Sequence, residues 1–423
     1  MFARPLLSEM AALLAPAAPA AVPAALDLPA EARLPTACRR PCAPRRSTCA
    51  PRRARTRGGA ATRAADRRQR LPRCLPAARA AAAHARAMHC LLRCDGAGQG
   101  RARLRAALAA YGIERDCDLE RVEIEPGDLA LPALGLAPTR FDALGEGLDA
   151  IYHNGAWVHS LHPYRTLKPA NVLGTMEILR LAARGAPSRV HYVSTVATLP
   201  PRDPAVAGRL DEETVFARWQ GLLTGYAQSK WVAEQSLRAA GAHGLPFAVY
   251  RPTHISGDSR SAASNDRDTW SLFVDACLRH RCVPELEETL NWLPVDWMSA
   301  FIVELSLRAD ADGRSHNLIH PQSFPLRRLT DAIAASAGAP VRCLGYRDWR
   351  ALCAADPASA DVAAILPAEL ADEPGLADAF GEATIGNAVG ERIGAQRCPP
   401  LDDALLRAYV ERRNRALAAV RSG

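Results

Sequence analysis

Tyr226 and Lys230 lie four residues apart in Gly225-Tyr226-Ala227-Gln228-Ser229-Lys230, a spacing that puts both side chains on one face of a helix. There an ammonium can stabilise a developing phenolate and make a phenol usable as an acid near neutral pH. The spacing also recurs on solvated helix faces. Composition singles this pair out: of 53 Lys and Arg residues only Lys168 and Lys230 are lysines, so an ammonium is kept here in a chain that otherwise uses Arg. A compact ammonium fits under a ribose and beside a phenol better than a planar guanidinium does. Earlier in the chain, Val193-Ser194-Thr195 closes an apolar run, and open parallel sheets carry their catalytic groups at such strand ends. Thr195 can donate a hydrogen bond to a substrate carbonyl oxygen, although an isolated strand-end hydroxyl often does no more than satisfy local backbone. In this order, Thr195, Tyr226 and Lys230 form a constellation suited to acid catalysis at a carbonyl.

Such residues need a parallel sheet beneath them, and from Met88 onward the pattern supplies one. Short apolar runs predict strands at His89 to Leu92, Arg121 to Glu125, Ala150 to His153, Val190 to Ser194 and Phe247 to Tyr250. Helices are expected between them at Gly100 to Tyr111, Tyr164 to Ala183, Tyr226 to Ala240 and Trp270 to His280. Strands joined by such crossovers pair in parallel, so the expected fold is α/β, a Rossmann-like doubly wound parallel sheet. The expected division is a dinucleotide-binding part over 88–283 and a smaller C-terminal substrate subdomain over 284–423, with helices at Leu329 to Ala337 and Asp402 to Ala419.

The composition excludes several classes. With 48% hydrophobic and 23% charged residues over 423 positions, the chain can build a sizeable core. No run reaches the roughly 18 apolar residues of a spanning helix. The Ala-rich opening is broken by Glu9, Pro16, Pro19 and Pro23, which also spoils it as a secretory signal. The net charge of +8 is local: Thr36 to Ala87 holds fifteen Arg and one acid, Asp66, for +14, leaving −6 elsewhere. That segment lacks interleaved aromatics, so neither a nucleic-acid nor a membrane partner is expected, the alternative being a natural basic linker that binds nucleic acid or acidic lipid. Twelve Cys without a CxxC pair or zinc spacing indicate reduced thiols, no metal site and a cytoplasmic location.

Several blocks then occur in register: Cys90-Leu91-Leu92-Arg93, Gly127-Asp128-Leu129, Tyr152-His153-Asn154-Gly155-Ala156, Ala170-Asn171-Val172-Leu173-Gly174-Thr175, Val193-Ser194-Thr195, Tyr226 to Lys230, Tyr250-Arg251-Pro252, Gly257-Asp258-Ser259 and Pro294-Val295-Asp296. In order and spacing, Met88 to Arg350 resembles an extended short-chain dehydrogenase/reductase of the thioester reductase type, the terminal reductase of nonribosomal peptide synthetases and carboxylic acid reductases. The resemblance implies NADPH-dependent reduction of a carrier-bound acyl thioester to an aldehyde or alcohol, with a phosphopantetheine-bearing carrier domain as partner. It makes Thr195, Tyr226 and Lys230 the catalytic triad, with Lys230 also on the cofactor. Asp128 is placed at the adenine amino group and Arg93 and Arg103 at the ribose 2′-phosphate. Asn154 and Gly155 are placed at the diphosphate and ribose, and Pro252 and Ile255 beside the nicotinamide. A fatty acyl-CoA reductase or a sugar-nucleotide epimerase of the same superfamily is the alternative. Residues 2–11 resemble the last helix of a carrier domain, which makes 1–35 a carrier tail and an Ala/Pro linker.

One part of the pattern is absent. A dinucleotide site needs a strand, a glycine-rich turn and a helix whose first amides hold the diphosphate, and nothing of that kind precedes Cys90. Gly96-Ala97-Gly98-Gln99-Gly100 follows the wrong strand and reads as a loop. The motif's place is taken by the Arg-rich 36–87, whose composition predicts disorder. Read one nucleotide later with free wobble bases, the codons of Arg63 to Cys74 admit Val-Leu-Leu-Thr-Gly-Ala-Ser-Gly-Phe-Leu-Gly-Ala, a strand followed by GxxGxxG. Two compensating frame shifts would thus have replaced the first βα unit. As written, the chain is expected to bind no NADPH and to be a remnant with an intact triad.

Overall fold

The computed structural model describes residues 31–32, 88–114, 117–199, 212, 219, 222, 224–308, 313–366 and 398–422. Apart from Glu31 and Ala32, the carrier-like start, the linker and the Arg-rich 36–87 lie outside the described residues. Glu31 meets Lys168 at 2.5 Å.

Alternation of strand and helix runs the length of the first part. It comprises β1 (Met88–Leu92), α1 (Ala97–Ala110), β2 (Val122–Pro126), α2 (Pro138–Gly147), β3 (Ala150–His153), α3 (Tyr164–Lys168), α4 (Gly174–Ala182), β4 (Arg189–Val193), α5 (Gly225–Ala242) and β5 (Phe247–Pro252). There follow β6 (His254–Ser256), α6 (Thr269–His280), β7 (Cys282–Glu285), β8 (Thr289–Leu290), β9 (Trp292–Pro294), α7 (Val295–Ser306) and β10 (Arg314–Leu318). The chain continues with β11 (Phe324–Pro325), α8 (Leu326–Ser336), β12 (Arg342–Gly345), α9 (Tyr346–Ala355), α10 (Ala360–Ile365) and α11 (Asp403–Ser422).

Strands β3, β4, β5 and β10 pair side by side, all parallel, and β1 pairs in parallel with β2. Both faces are covered, as a parallel sheet requires. Phe141, Ile178 and Leu237 from α2, α4 and α5 pack with Leu91, Ile151 and Val249, while Leu104, Leu108, Met298 and Phe301 from α1 and α7 pack with Cys90, Tyr250 and Leu318. The α/β, doubly wound expectation therefore holds. The described strands fall into two blocks, β2-β1 and β3-β4-β5-β10.

Three local differences from the sequence reading have physical causes. Ala97–Gly100 is the first turn of α1, not a loop. Gln99 accepts from the Asp95 N–H and donates to the Asp95 carboxylate, at 3.0 and 2.8 Å, fastening that turn. Gly100 is needed because a Cβ there would stand 2.5 Å from Ile124 Cγ2 on β2. The single helix expected over Tyr164 to Ala183 is interrupted at Pro169, where a π turn, Pro169–Leu173, links α3 to α4. The two parts also interleave instead of dividing at residue 283. β10, whose Ser315, His316 and Asn317 gave no strand signal, extends the main sheet, while α6 packs Phe273 against Trp349 of α9 in the second core. That core is closed by α11, whose Tyr409 hydroxyl donates to Gly257 O at 2.9 Å and whose Arg413 pairs with Asp275 and Asp266. Cys277, Cys282 and Cys353 lie in it as thiols, and burial pushes Cys353 up to about 12. No described helix is long and apolar enough to cross a membrane.

His254 on β6 packs against Trp270 and Trp292, and burial pushes its imidazole down to about 4 from 6.5. The unfolded chain takes a proton that the folded chain refuses, so this contribution is full above pH 6.5 and is lost as pH falls toward 4. Melting of His254→Phe, followed by circular dichroism, is expected to fall less steeply than that of the parent over that window.

Candidate active site

Parallel strands deliver their following residues to one edge of the sheet, and the predicted residues gather there. Arg93 follows β1, Asp128 lies two residues beyond β2, Asn154 and Gly155 follow β3, Thr195 lies two beyond β4, and Pro252 ends β5. Tyr226 and Lys230 occupy the first two turns of α5, whose start is set by Thr224, its side chain accepting from the Ala227 N–H at 3.1 Å.

Lys230 is almost wholly buried, 2% exposed. Its Nζ donates to Val193 O at 2.6 Å and stands 4.1 Å from the centroid of the Tyr192 ring. The ammonium is thereby pinned below the strand end that presents Thr195. Tyr226, one turn earlier, is only half-buried. Tyr192 is no competing acid, since burial, with the nearby Glu234 and Tyr226, pushes its phenol well above 10. Of the two adjacent hydroxyls, Ser194 is committed, donating to Glu234 Oε1 at 2.5 Å. Thr195 is half-exposed; its Oγ1 accepts from the Ala197 N–H at 3.2 Å, which leaves its O–H to donate to a ligand.

The other end of the edge carries the second predicted group. Arg93 Nε meets Asp128 Oδ2 at 2.9 Å, and Arg103 from α1 donates to Arg93 O. A guanidinium, its neighbour and a carboxylate from three elements therefore share one corner. Asn154, just after β3, has a buried amide nitrogen with no hydrogen-bond partner, a donor that a ligand oxygen would satisfy. That orphan donor and the paired arginines fit a dinucleotide lying across the strand ends. Ile255 lies on β6, beyond Pro252, and pairs with Leu293 of β9.

Sequence reasoning missed the groups behind the site. Asn171, in the π turn, is buried; its Nδ2 donates to Ser229 Oγ at 2.9 Å and Trp157 O at 3.0 Å, and its Oδ1 accepts from the Trp157 N–H at 2.6 Å. It joins the loop after β3 to the catalytic helix. Glu234 lies one turn beyond Lys230, paired with Arg251 of β5 at 2.5 Å. Burial alone would push its carboxyl up, but Arg251 and Ser194 hold it below the usual range. The signal for it was Glu at i+4 from Lys230, which on its own marks only a helix face.

Residues 80–302, just over half of the chain, match the family of NAD-binding domains described as male sterility protein. The chain belongs to this family, and its fold is that of an NAD(P)-dependent reductase of the extended short-chain type. It is 37% identical over 246 residues to one of the subunits of linear gramicidin synthase from Brevibacillus parabrevis, covering 58% of this chain and 5% of the synthase polypeptide. It is 29% identical over 260 residues to the L-2-aminoadipate reductase large subunit of Candida glabrata, covering 59% of this chain and 19% of that polypeptide. The chain thus spans less than a fifth of either relative. The terminal R domain of the myxalamid PKS-NRPS biosynthetic pathway superposes with a TM-score of 0.79 at 28% identity, covering 92% of this chain and 97% of that domain.

A Cβ on Gly225 would collide with Tyr164 N and stand 2.5 Å from His162 O, both backbone atoms of the turn entering α3. Gly225→Ala should force α5 and Tyr226 away from that turn and cost about 1–3 kcal/mol, measurable by denaturant unfolding.

Proposed function

We propose that this site reduces an acyl thioester, carried on the phosphopantetheine arm of a carrier domain, to an aldehyde or alcohol with NADPH. The observation that carries the reading is the buried Lys230 ammonium fixed at 2.6 Å to the strand end that presents the Thr195 hydroxyl, with Tyr226 on the same helix. The names of the relatives, a gramicidin synthase, an aminoadipate reductase and an R domain, support the substrate class. Arg93 after β1 and Arg103 on α1 support the choice of NADPH over NADH, as two guanidinium groups in one corner suit a 2′-phosphate.

NADPH, when bound, supplies the hydride. Thr195 and Tyr226 donate hydrogen bonds to the thioester carbonyl oxygen as negative charge develops on it, and Tyr226 delivers its proton. Lys230 favours the phenolate left behind, its charge held in place by Val193 O. The hemithioacetal hydroxyl then returns its proton to the Tyr226 phenolate as the C–S bond breaks, giving the aldehyde and the pantetheine thiolate. In a form of the chain that binds NADPH, Thr195→Val and Tyr226→Phe are each expected to lower kcat about 10²–10³-fold while NADPH affinity stays within a factor of about two. Release of aldehyde from an acyl-loaded carrier, with no turnover of the same acyl group on coenzyme A, would separate this reading from a fatty acyl-CoA reductase.

We further propose that residues 36–87 stand where the first βα unit belongs and are read out of frame. β1 and β3 bury Leu91 and Ile151 in one core and Cys90 and Tyr152 in the other, so a strand between them needs apolar side chains on both faces. Val-Leu-Leu followed by GxxGxxG meets that need and Arg-Ala-Ala-Asp-Arg-Arg does not. The family match beginning at residue 80 agrees with this. Sequencing the DNA from Leu34 to Leu91 decides it: a continuous frame encoding Thr-Gly-Ala-Ser-Gly-Phe-Leu-Gly is the expected result, and confirmation of the given codons refutes it. By calorimetry the chain as given is expected to bind no NADPH and the reframed chain to bind it.

A further inference from the structure

We propose that Glu234 is the positioning residue of this site, its buried carboxylate fixing the Thr195 turn against the helix that carries Tyr226 and Lys230. This rests on Thr195 and Tyr226 acting as proposed above. Glu234 is 1% exposed, and its two oxygens reach three neighbouring side chains. Oε1 accepts from Ser194 Oγ at 2.5 Å and lies 3.0 Å from Thr198 Oγ1, whose one proton it shares with Thr195 O at 2.9 Å. Arg251 Nε donates to both oxygens at 3.1 Å, and its Nη2 donates to Oε2 at 2.5 Å.

Each partner adjoins a functional residue. Ser194 precedes Thr195; Thr198 ends the Val196–Thr198 turn that Thr195 caps; Arg251 precedes Pro252; and Glu234 itself lies one turn after Lys230. The two hydroxyls hold the Thr195 turn by its first and last residues. The Thr195 side chain makes only the 3.2 Å bond to the Ala197 N–H within that turn, so its hydroxyl is placed by its neighbours. A buried ion pair is a poor source of net stability, since an apolar pair of similar volume commonly replaces it without loss. An apolar pair would fill the space yet offer Ser194 no acceptor and leave Thr198 only Thr195 O, at 2.9 Å within its own turn. Placement of the hydroxyl is what the carboxylate adds, and catalysis is sensitive to misplacement of about 1 Å.

Two variants of the full chain separate placement from stability. Glu234→Leu with Arg251→Met removes the charge pair; Ser194→Ala with Thr198→Val keeps the pair and removes the hydroxyl tethers. Both are expected to melt within a few degrees of the parent, while amide exchange over Thr195 to Leu199 accelerates at least tenfold and exchange in β3 and β5 does not. In the form of the chain that binds NADPH, kcat is expected to fall at least tenfold with KM and NADPH affinity unchanged. Parent-like exchange at Thr195 to Leu199 in a folded variant overturns the proposal. So does acceleration spread over the whole sheet, which marks a purely structural role. Should the apolar pair fail to fold, Ser194→Ala alone decides, since it removes the tether to Glu234 and keeps the bond from Thr198 to Thr195 O. If no form of the chain turns over a thioester, the functional reading fails, and the exchange data still decide what Glu234 holds.

Discussion

A buried lysine must find compensation for its lost water, and the bond from Lys230 Nζ to Val193 O is where this molecule provides it. The tie could not be elsewhere. Val193 is the last residue of a strand flanked by β3 and β5, so the parallel ladders on both sides fix the position of its carbonyl. The ammonium inherits that position, and through the helix Tyr226 inherits it too. Covering both faces of β4, choosing Gly at 225 and capping α5 with Thr224 all contribute to holding one proton donor beside one strand end.

The sheet carries a related constraint. A central strand of a parallel sheet is buried on both faces and paired on both edges, so its composition is dictated more strictly than that of any other element. β4, between β3 and β5, is such a strand, with Val190, His191 and Tyr192 all buried. Edge and surface segments can change composition while the fold persists; the central place cannot take a run of guanidinium groups, whose burial without partners costs several kcal/mol each.

Much of this was legible in the residues because the signals were local. Strands β1 to β5 and α5 announced themselves by apolar runs and helical spacing, and their ends differ from expectation by at most two residues. The site was readable for the same reason: every predicted group except Arg103, Ile255 and the α5 pair sits at a strand end or within two residues of one. β10 was illegible because Ser315, His316 and Asn317 are polar yet buried, a pattern that only tertiary packing explains. The Glu234 network was illegible because its bonds link residues 17 to 40 positions apart, which no local pattern encodes. Sequence pattern could not show that β10 pairs with β5 or that α6 packs against α9, since both contacts join segments far apart in the chain.

The chain's near-abandonment of lysine has a chemical consequence. Lys230 is sealed in the site at 2% exposure, and the Lys168 side chain is 32% exposed and joined to Glu31. Of 423 residues, these two hold the only side-chain primary amines. An amine-directed reagent such as a succinimidyl ester therefore meets, besides the α-amine, a single reachable nitrogen. Labelling stoichiometry becomes a gauge of whether Lys168 is still engaged, and a second lysine label signals that the site itself has opened.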